Sequence, residues 1–148
     1  MQDLPSSVLF ACTMNSIRSP MAEAILKFLH GHKIYVDSVG VRYSEIDGFA
    51  IAVMDEVGID ISNHVAKSFD DLEDNFFDLV ISLSPEAQHR SVELTRTMSV
   101  DIEFWNTFDP SIIESDSREE RLNAYREVRD RLMESIKKRF PVMAHFDT

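Results

Sequence analysis

Apolar residues follow two alternating patterns along this chain, and the alternation predicts its fold class. Short apolar runs have the length of buried strands, whereas longer segments place apolar residues every three or four positions, as amphipathic helices do. Strands are predicted at residues 7–11, 33–39, 77–84 and 100–105, and helices at residues 20–30, 47–57, 85–97 and 117–140. We therefore expect an α/β fold with right-handed crossovers, a three-layer α/β/α sandwich around a four-stranded parallel sheet.

The same pattern predicts where helices start and stop and which faces are buried. Ser19 is expected to cap the first helix with Pro20 at its first position, and Gly58 to end the second helix. Ser117 and Glu120 have the spacing of a capping box at the start of the last helix. Residues 68–75 are expected to hold a short helix or turn. The predicted core positions are Met21, Ile25, Phe28 and Leu29 in the first helix, Phe49, Ala50, Val53, Met54 and Val57 in the second, and Leu122, Tyr125, Val128, Leu132 and Ile136 in the last.

Composition narrows the class of protein. The 148 residues fit a single domain, residues 1–148, with one sizeable core. No stretch approaches the ~20 apolar residues of a membrane span, and the N-terminus lacks a signal-peptide pattern. The single cysteine excludes an internal disulfide and indicates a reducing, cytoplasmic setting. The formal net charge of −11 disfavours nucleic acid and anionic membranes as partners, so any anion site must build its positive potential locally.

The segment from Cys12 to Pro20 carries the strongest chemical signal in the sequence. The cysteine follows the first apolar run, Arg18 stands six positions later, and Ser19-Pro20 opens a helical pattern. Such a loop turns its N–H groups inward as a nest for an anion and aims a helix N-terminus at the same point. These groups and the guanidinium favour the thiolate, the nucleophilic form of cysteine. The residues therefore predict a phosphate-type oxyanion that Arg18 binds and the Cys12 thiolate attacks.

Asp109, in the loop after the fourth strand, is the second candidate for chemistry. Ligands of open α/β sheets bind at the carboxyl ends of strands. We therefore expect the Cys12 and Asp109 loops on one rim, although 97 positions separate them. A carboxylic acid there would protonate the leaving group and later accept a proton from the attacking water. Plainer alternatives exist for each residue: a core cysteine at 12, a turn aspartate at 109, an ordinary loop histidine at His64, and core or loop anchors at Trp105 and Phe108.

The run from Cys12 to Glu23 resembles the phosphate-binding loop of low-molecular-weight protein tyrosine phosphatases, and of the arsenate reductases that share their fold. The similarity continues, in family order, through Asp37-Ser38-Val39-Gly40, residues 58–67, residues 77–81 and Phe108-Asp109-Pro110. The matches cover most of the chain. Their combination is specific, whereas no single match would be.

The resemblance implies a role for each matching residue. Cys12 would be the nucleophile, Arg18 the phosphate clamp and Asp109 the general acid and base. Ser19 would hydrogen-bond the thiolate and ease its departure in the second step. The implied polar network that holds the loop consists of Asn15, Ser19, Ser38 and His64. The implied substrate-binding residues are Thr13, Met14, Asn15, Ser16, Ile17, Arg18 and Ser19.

The sequence departs from the family's common pattern at three places. Met14 stands where glycine is common and lacks the backbone freedom of glycine, so a reshaped loop or a narrowed rim is expected. Ile17 stands where many members carry a second cysteine. Ser111-Ile112 follow the Asp-Pro pair where eukaryotic members have aromatic residues. The candidates to replace those aromatic residues are Tyr43, Trp105 and Phe108.

The leading hypothesis from the sequence is a phosphomonoester hydrolase, a protein tyrosine phosphatase that forms a phosphocysteine and requires no cofactor and no metal. Its partner would be a phosphotyrosine protein or a small phosphomonoester. The first alternative is an arsenate reductase that uses an external small thiol, because the thioredoxin-coupled version needs two further cysteines. The second alternative is a phosphate-binding module whose catalysis Met14 has impaired.

Overall fold

The computed structural model describes residues 4–72 and 76–142, within which four strands and four helices alternate. The strands are β1 (Ser7–Cys12), β2 (Tyr35–Gly40), β3 (Leu79–Ser82) and β4 (Asp101–Phe104). The helices are α1 (Arg18–His30), α2 (Gly48–Asp55), α3 (Pro85–Val92) and α4 (Arg118–Arg139), and 3-10 turns occupy Phe69–Asp71, Glu93–Arg96 and Pro110–Ile112. The alternation confirms the α/β fold that the apolar pattern predicts.

The sheet places the end of β1 at the centre of the molecule. All strand pairs are parallel, and the strand order is β2-β1-β3-β4. β1 is therefore an inner strand, and its last residue, Cys12, lies opposite Gly40 of β2. Helices α1, α2 and α4 pack on one face of the sheet around Phe10, while α3 packs on the other face around Leu9. These layers form the predicted three-layer sandwich.

Most element boundaries differ from the sequence prediction by a few residues, and two of these differences have an evident local reason. β2 begins at Tyr35, because the N–H groups of residues 33 and 34 donate to the His30 carbonyl and extend the turn that ends α1. Helix α3 ends at Val92, and residues 93–96 continue it as a tighter 3-10 turn. Both differences involve a few residues at an element end, where hydrogen-bond patterns commonly change.

The predicted short helix or turn at residues 68–75 corresponds to the 3-10 turn Phe69–Asp71. Ser68 caps this turn, and Ser68 and Asp71 bond reciprocally as a capping box. Residues 73–75 of the prediction lie outside the described residues.

The prediction that Ser19 caps α1 is wrong. The helix begins at Arg18, two residues before the predicted start, and Ile17 precedes it without a side-chain cap. The Ser19 hydroxyl lies instead 2.9 Å from the sulfur of Cys12. Pro20 is the third residue of the helix, still within the first turn, where proline is tolerated because its N–H has no intrahelical partner.

The capping box predicted for α4 is half formed. Ser117 Oγ accepts a hydrogen bond from the Glu120 N–H at 3.2 Å, as expected for an N-cap. The Glu120 carboxylate accepts from Ser115 Oγ at 2.7 Å rather than from the Ser117 N–H. The Ser117 N–H in turn donates to Ser115 Oγ, so Ser115 takes the place predicted for the Glu120 side chain.

The helix faces are mostly as predicted, with one error in α1. Phe28 is 67% exposed, because α1 turns Ala22, Leu26 and His30 toward the core instead. In the part of the chain that the structure describes, no helix has the length and apolar character to cross a membrane. The predicted core residues that are buried include Ala50, Val53 and Met54 of α2 and Leu122, Tyr125, Val128, Leu132 and Ile136 of α4.

Candidate active site

The Cys12 loop, defined here as residues 12–18, joins the carboxyl end of β1 to the first turn of α1. Its carbonyl groups bond to the main chain of residues 41–47, which we name the supporting segment. The four bonds run from Val41 N to Cys12 O (3.0 Å), from Arg42 N to Thr13 O (2.9 Å), from Ser44 N to Met14 O (3.1 Å) and from Asp47 N to Ser16 O (3.0 Å). The loop carbonyls therefore point outward, toward that segment.

The same bonds decide where the N–H groups of the loop point. The peptide bonds of the described residues include no cis bond. In a trans peptide the carbonyl of one residue and the N–H of the next point in opposite directions. Because the carbonyls of residues 12–14 and 16 point outward, the N–H groups of residues 13–15 and 17 point into the loop. The Asn15 N–H donates to Cys12 Sγ at 3.3 Å, and inward-pointing N–H groups are what an oxyanion site requires.

Asn15 supplies the backbone conformation that closes the loop. Its φ is 52°, and within the described ranges it is the only residue other than glycine with a positive φ. Asparagine enters this left-handed region more readily than most residues. Met14 thus has an ordinary backbone conformation, and the loop forms without glycine at that position.

Gly40 lies against the back of the Cys12 loop, and a side chain cannot fit there. A Cβ atom at this position would stand 2.1 Å from the Arg42 carbonyl oxygen, 2.7 Å from Asn15 N and 2.8 Å from the Met14 carbonyl carbon. All three are backbone atoms that belong to the loop or its supporting segment. In the sequence, Gly40 is part of a run that resembles the family and has no predicted role of its own. Its place at the end of β2, opposite Cys12, is the signal that could have revealed one.

The Cys12 thiol is buried, with 2% of the residue exposed, and it contacts two polar groups. Ser19 Oγ lies 2.9 Å from Sγ and Asn15 N lies 3.3 Å from it. A thiolate has no proton to donate, so Ser19 must donate to it in that state. The Val39 carbonyl, 3.3 Å from the same hydroxyl, offers another acceptor when the sulfur carries its own proton.

The structure brings together the four side chains of the network implied by the resemblance. Asn15 Nδ2 donates to Ser19 Oγ at 2.8 Å and to Ser38 Oγ at 3.0 Å. Asn15 Oδ1 accepts from the Lys67 backbone N–H at 2.9 Å, which fixes that atom as oxygen. His64 Nε2 lies 3.0 Å from the same oxygen and must therefore be its N–H donor. Every polar atom of the Asn15 side chain is thus engaged in holding the loop.

Glu23 extends this network, although the sequence alone predicts no role for it. Its side chain is mostly buried, and Oε1 accepts from Ser38 Oγ at 2.5 Å. The same oxygen lies 3.8 Å from His64 Nδ1, while Oε2 pairs with Lys27 at 2.5 Å. The sequence signal was present, because Glu23 is the last residue of the quoted loop run, one helical turn beyond Ser19.

Burial is the main influence on His64 and lowers the pKa of its imidazole below the ordinary value of 6.5. The nearby Glu23 carboxylate opposes this shift, and the Lys67 ammonium adds to it. The folded protein therefore favours neutral His64. In that form Nε2 carries the proton that Asn15 accepts, and Nδ1 is unprotonated.

Replacing His64 by glutamine is expected to make folding stability less sensitive to acid. Because the pKa is lowered in the folded state, the unfolded chain binds the proton more readily, and wild-type stability falls as pH drops below about 6.5. This group contributes a slope of at most about 1.4 kcal/mol per pH unit. Glutamine retains an N–H donor for Asn15 but does not titrate. Urea unfolding between about pH 7.5 and 5 measures the slope.

The exposed His32 provides the control for this measurement, since His32→Gln removes a histidine from the surface outside the network. We expect His32→Gln to keep the wild-type slope and His64→Gln to flatten it. Equal slopes in the wild type and His64→Gln would contradict the assignment of this pH dependence to His64.

Arg18 and Asp109 approach each other at one edge of the sheet, because the loops that carry them follow the carboxyl ends of β1 and β4. Arg18 Nη1 donates to the Thr107 carbonyl at 3.0 Å, and Nη2 lies 4.0 Å from Asp109 Oδ2. The Arg18 side chain is 10% exposed, whereas that of Asp109 is 35% exposed. Asp109 Oδ1 accepts from the N–H and the hydroxyl of Ser111, which leaves Oδ2 as the oxygen facing the guanidinium.

The aromatic candidates at the rim have different environments. Trp105 is a structural residue: its ring packs edge-on against Phe10 at 6.3 Å, and its indole N–H donates to Glu103 at 3.1 Å. Phe108, next to Asp109, is 51% exposed, and Tyr43 in the supporting segment is 59% exposed. Trp105 is partly buried, so Phe108 and Tyr43 are the two candidates with exposed rings.

The remaining loop residues have defined places. Thr13 Oγ1 donates to Ser84 Oγ at 3.0 Å, which ties the loop to the N-cap of α3. Ser16 and Ile17 are buried at 9% and 7% exposure, and the Ile17 carbonyl accepts the first α1 hydrogen bond from Met21 N. In the described residues no group of histidine, cysteine, aspartate and glutamate side chains has the arrangement of a metal site.

This combination of a parallel sheet, a cysteine loop at the end of β1 and an arginine at the start of the next helix defines a protein family. The sequence profile described as low molecular weight phosphotyrosine protein phosphatase matches residues 7–144. The chain belongs to this family.

Individual relatives carry two kinds of name. The chain is 33% identical to an arsenate reductase of Bacillus subtilis over 130 residues, which cover 88% of this chain and 91% of the relative. It is 45% identical to a glutaredoxin arsenate reductase of Synechocystis over 76 residues, and this match spans 51% of the chain and only 58% of the relative. A solved tyrosine phosphatase of Erwinia amylovora has the same fold, with a TM-score of 0.74, 20% identity and coverage of 91% of each chain.

Proposed function

We propose that the protein hydrolyses phosphomonoesters through a phosphocysteine intermediate, with the oxyanion bound by the Cys12 loop. The observation that carries this proposal is the meeting of three groups at one rim. The inward N–H of Asn15 lies 3.3 Å from Cys12 Sγ, and Arg18 Nη2 lies 4.0 Å from Asp109 Oδ2. A nucleophile, an oxyanion site and a carboxyl group are the parts that a two-step phosphoryl transfer requires.

In the first step the Cys12 thiolate attacks phosphorus, the new S–P bond forms and the bond to the leaving oxygen breaks. Asp109, in its carboxylic acid form, gives its proton to that oxygen. Arg18 and the loop N–H groups bind the equatorial oxygens, where transition-state charge develops. In the second step water attacks phosphorus, Asp109 accepts its proton, and the thiolate leaves with inorganic phosphate as product.

The loop network has a positioning role in this mechanism. Ser19 stabilises the thiolate as it departs, because its hydroxyl can donate to the sulfur at 2.9 Å. Asn15, Ser38 and His64 keep the loop N–H groups aimed at the anion by bonding the side chains behind them. The reaction needs Cys12 reduced, which fits the cytoplasmic setting expected for a lone thiol.

The substrate is proposed to be a phosphotyrosine side chain of a protein or a small aryl phosphate. Phe108 and Tyr43 support this choice, because both rings are exposed. Phe108 is next to Asp109, and Tyr43 lies in the supporting segment that bonds to the carbonyls of the Cys12 loop. Rings at these places can stack on the phenyl group of a substrate. The residues from Thr13 to Ser19, with Met14 among them, would line the phosphate site.

Arsenate reduction is the second candidate, and the names of the relatives at 33–45% identity favour it over hydrolysis. Arsenate has the shape and charge of phosphate, so the same thiolate can attack arsenic. With one cysteine in the chain, an external thiol must attack Cys12 Sγ, releasing arsenite and leaving a mixed disulfide. A second external thiol then frees Cys12, so two thiols supply the two electrons.

Asp109→Asn distinguishes the two candidates when both reactions are measured. Hydrolysis of a phosphotyrosine peptide is expected to fall about 10²-fold, because the tyrosine oxygen leaves poorly without a proton. Hydrolysis of p-nitrophenyl phosphate, whose leaving group is a weaker base, is expected to fall less. The same proteins are assayed for arsenite formation from arsenate with excess glutathione.

Hydrolysis by the wild type, with the larger loss on the peptide, supports the proposal. Glutathione-dependent arsenite formation without hydrolysis would replace it with the second candidate. Absence of both reactions, with phosphate still bound, would indicate a binding module.

A further inference from the structure

The first turns of α4 carry two exposed arginines that lie on the same aromatic ring. The guanidinium carbons of Arg118 and Arg121 stand 5.4 Å and 4.6 Å from the centre of the Phe49 ring. Within residues 4–72 and 76–142, no carboxylate forms an ion pair with either arginine. By contrast, Arg42, Arg90, Arg126, Arg129 and Arg139 each have a carboxylate partner.

The two arginines lack such partners because the acidic residues beside them are engaged elsewhere. Glu119 pairs with Arg126 at 2.5 Å, and Glu120 accepts from Ser115 Oγ at 2.7 Å. Stacking on an aromatic ring fixes the plane of a guanidinium and leaves the N–H groups at its edge free for an anion. Arg118 and Arg121 are thus held in place, without a carboxylate partner in the described residues, on a chain whose net charge is −11.

A short series of contacts connects this arginine pair to the Cys12 loop. The Phe49 ring packs 5.4 Å from the Tyr125 ring, whose hydroxyl donates to Asp47 Oδ2 at 3.0 Å. Asp47 N donates to the Ser16 carbonyl of the loop at 3.0 Å. Asp109 lies on the same side of the molecule, because it caps the 3-10 turn Pro110–Ile112, which packs against α4.

We propose that Arg118 and Arg121 form an anion subsite that binds an acidic side chain of the substrate, a few residues from its phosphorylated residue. This inference rests on the proposed phosphatase function and specifies its substrate class. Phe49 is two residues from Asp47, a distance of at most ~7 Å along the backbone, and an extended peptide advances ~3.3 Å per residue. We place the carboxylate that binds the arginine pair two to four positions from the phosphotyrosine, with the phosphate in the Cys12 loop.

The test compares two phosphotyrosine peptides that differ only in flanking residues, glutamate in one and glutamine in the other. The quantity measured is the ratio of their kcat/KM values within each protein variant. We expect the wild type to prefer the acidic peptide about tenfold, and the Arg118→Gln, Arg121→Gln double variant to lose that preference. The double variant with lysine at both positions is expected to retain most of it, because the positive charge remains.

Arg96→Gln provides the matched control. Arg96 is an exposed arginine on the 3-10 turn after α3, away from Phe49, and its loss should leave the preference unchanged. Raising the salt concentration should reduce the preference in the wild type and in this control alike, because salt screens exposed charges.

Peptide binding to Cys12→Ser separates a failure of this subsite from a failure of the proposed function. Fluorescence anisotropy of labelled versions of the two peptides gives their affinities without turnover. A preference that the glutamine substitutions remove supports the subsite even if the wild type hydrolyses neither peptide, an outcome that would overturn the phosphatase function alone. Equal affinities and equal kcat/KM values for the two peptides would overturn the subsite.

Discussion

Cys12→Ser is expected to lose at least about 10³-fold in kcat/KM toward p-nitrophenyl phosphate while the fold and the anion site persist. Serine fills the place of the thiol, but its hydroxyl is not ionised at neutral pH, so the nucleophile is lost. The inward N–H groups and Arg18 do not depend on the sulfur, because main-chain bonds to residues 41–47 hold the loop. Inorganic phosphate should therefore still raise the thermal midpoint of the variant.

Arg18→Lys is the variant to compare with Cys12→Ser, because it changes the group that binds phosphate and keeps the thiol. Lysine keeps a positive charge but lacks the planar fork that binds two oxygens, so this variant should lose both turnover and most of the phosphate-induced thermal shift. A covalent phosphoenzyme, detected by mass spectrometry after rapid acid quench, should form in the wild type and be absent in Cys12→Ser. Undiminished hydrolysis by Cys12→Ser would exclude the proposed mechanism.

Gly40→Ala is expected to cost about 3 kcal/mol of folding stability and to abolish detectable turnover. The added Cβ would stand 2.1 Å, 2.7 Å and 2.8 Å from three backbone atoms, and backbone cannot move aside as the end of a flexible side chain can. Two of those atoms belong to Met14 and Asn15, so any accommodation displaces the loop N–H groups from the sulfur. Urea unfolding and the hydrolysis assay together measure both consequences.

Gly48→Ala is the matched control, because it adds the same methyl group where no atom lies within 4 Å. Gly48 is the first residue of α2, and alanine favours a helix more than glycine does, so stability should be unchanged or higher by up to about 1 kcal/mol. Wild-type stability and turnover in Gly40→Ala would contradict the inference that close packing of Gly40 against the loop is needed for both.

The sheet and its helices were predictable because their signals are local. The apolar run Leu79-Val80-Ile81 and the α4 stripe from Leu122 to Ile136 have periods that identify a strand and a helix without knowledge of their neighbours. The shared rim was also predictable, since all strands of a parallel sheet end on the same edge. Phe28 was assigned wrongly because the spacing alone did not show that His30, a polar residue bonded to the Phe140 carbonyl, belongs to the buried face.

The placement of Cys12, Arg18 and Asp109 at one rim was predictable, and the placement of the groups around them was less so. Cys12, Arg18 and Asp109 have side chains whose chemistry the sequence displays. Gly40 matters because it has no side chain to clash with the loop, and Glu23 contributes through its hydrogen bond with Ser38. Both contributions depend on contacts that exist only in the folded chain. The Ser19 error has the same origin, because a serine before a helix suggests a cap until its distance to the sulfur is known.

The supporting segment holds the Cys12 loop with four N–H groups of its main chain, while the side chains of residues 42–45 project into solvent. Main-chain donors are the same for every residue type except proline. Mutations at positions 42–45 can therefore change the surface beside the Cys12 loop while the main-chain bonds that hold the loop stay the same. Related proteins can therefore differ in the side chains of this segment, and in the substrates they accept, while the loop keeps its geometry.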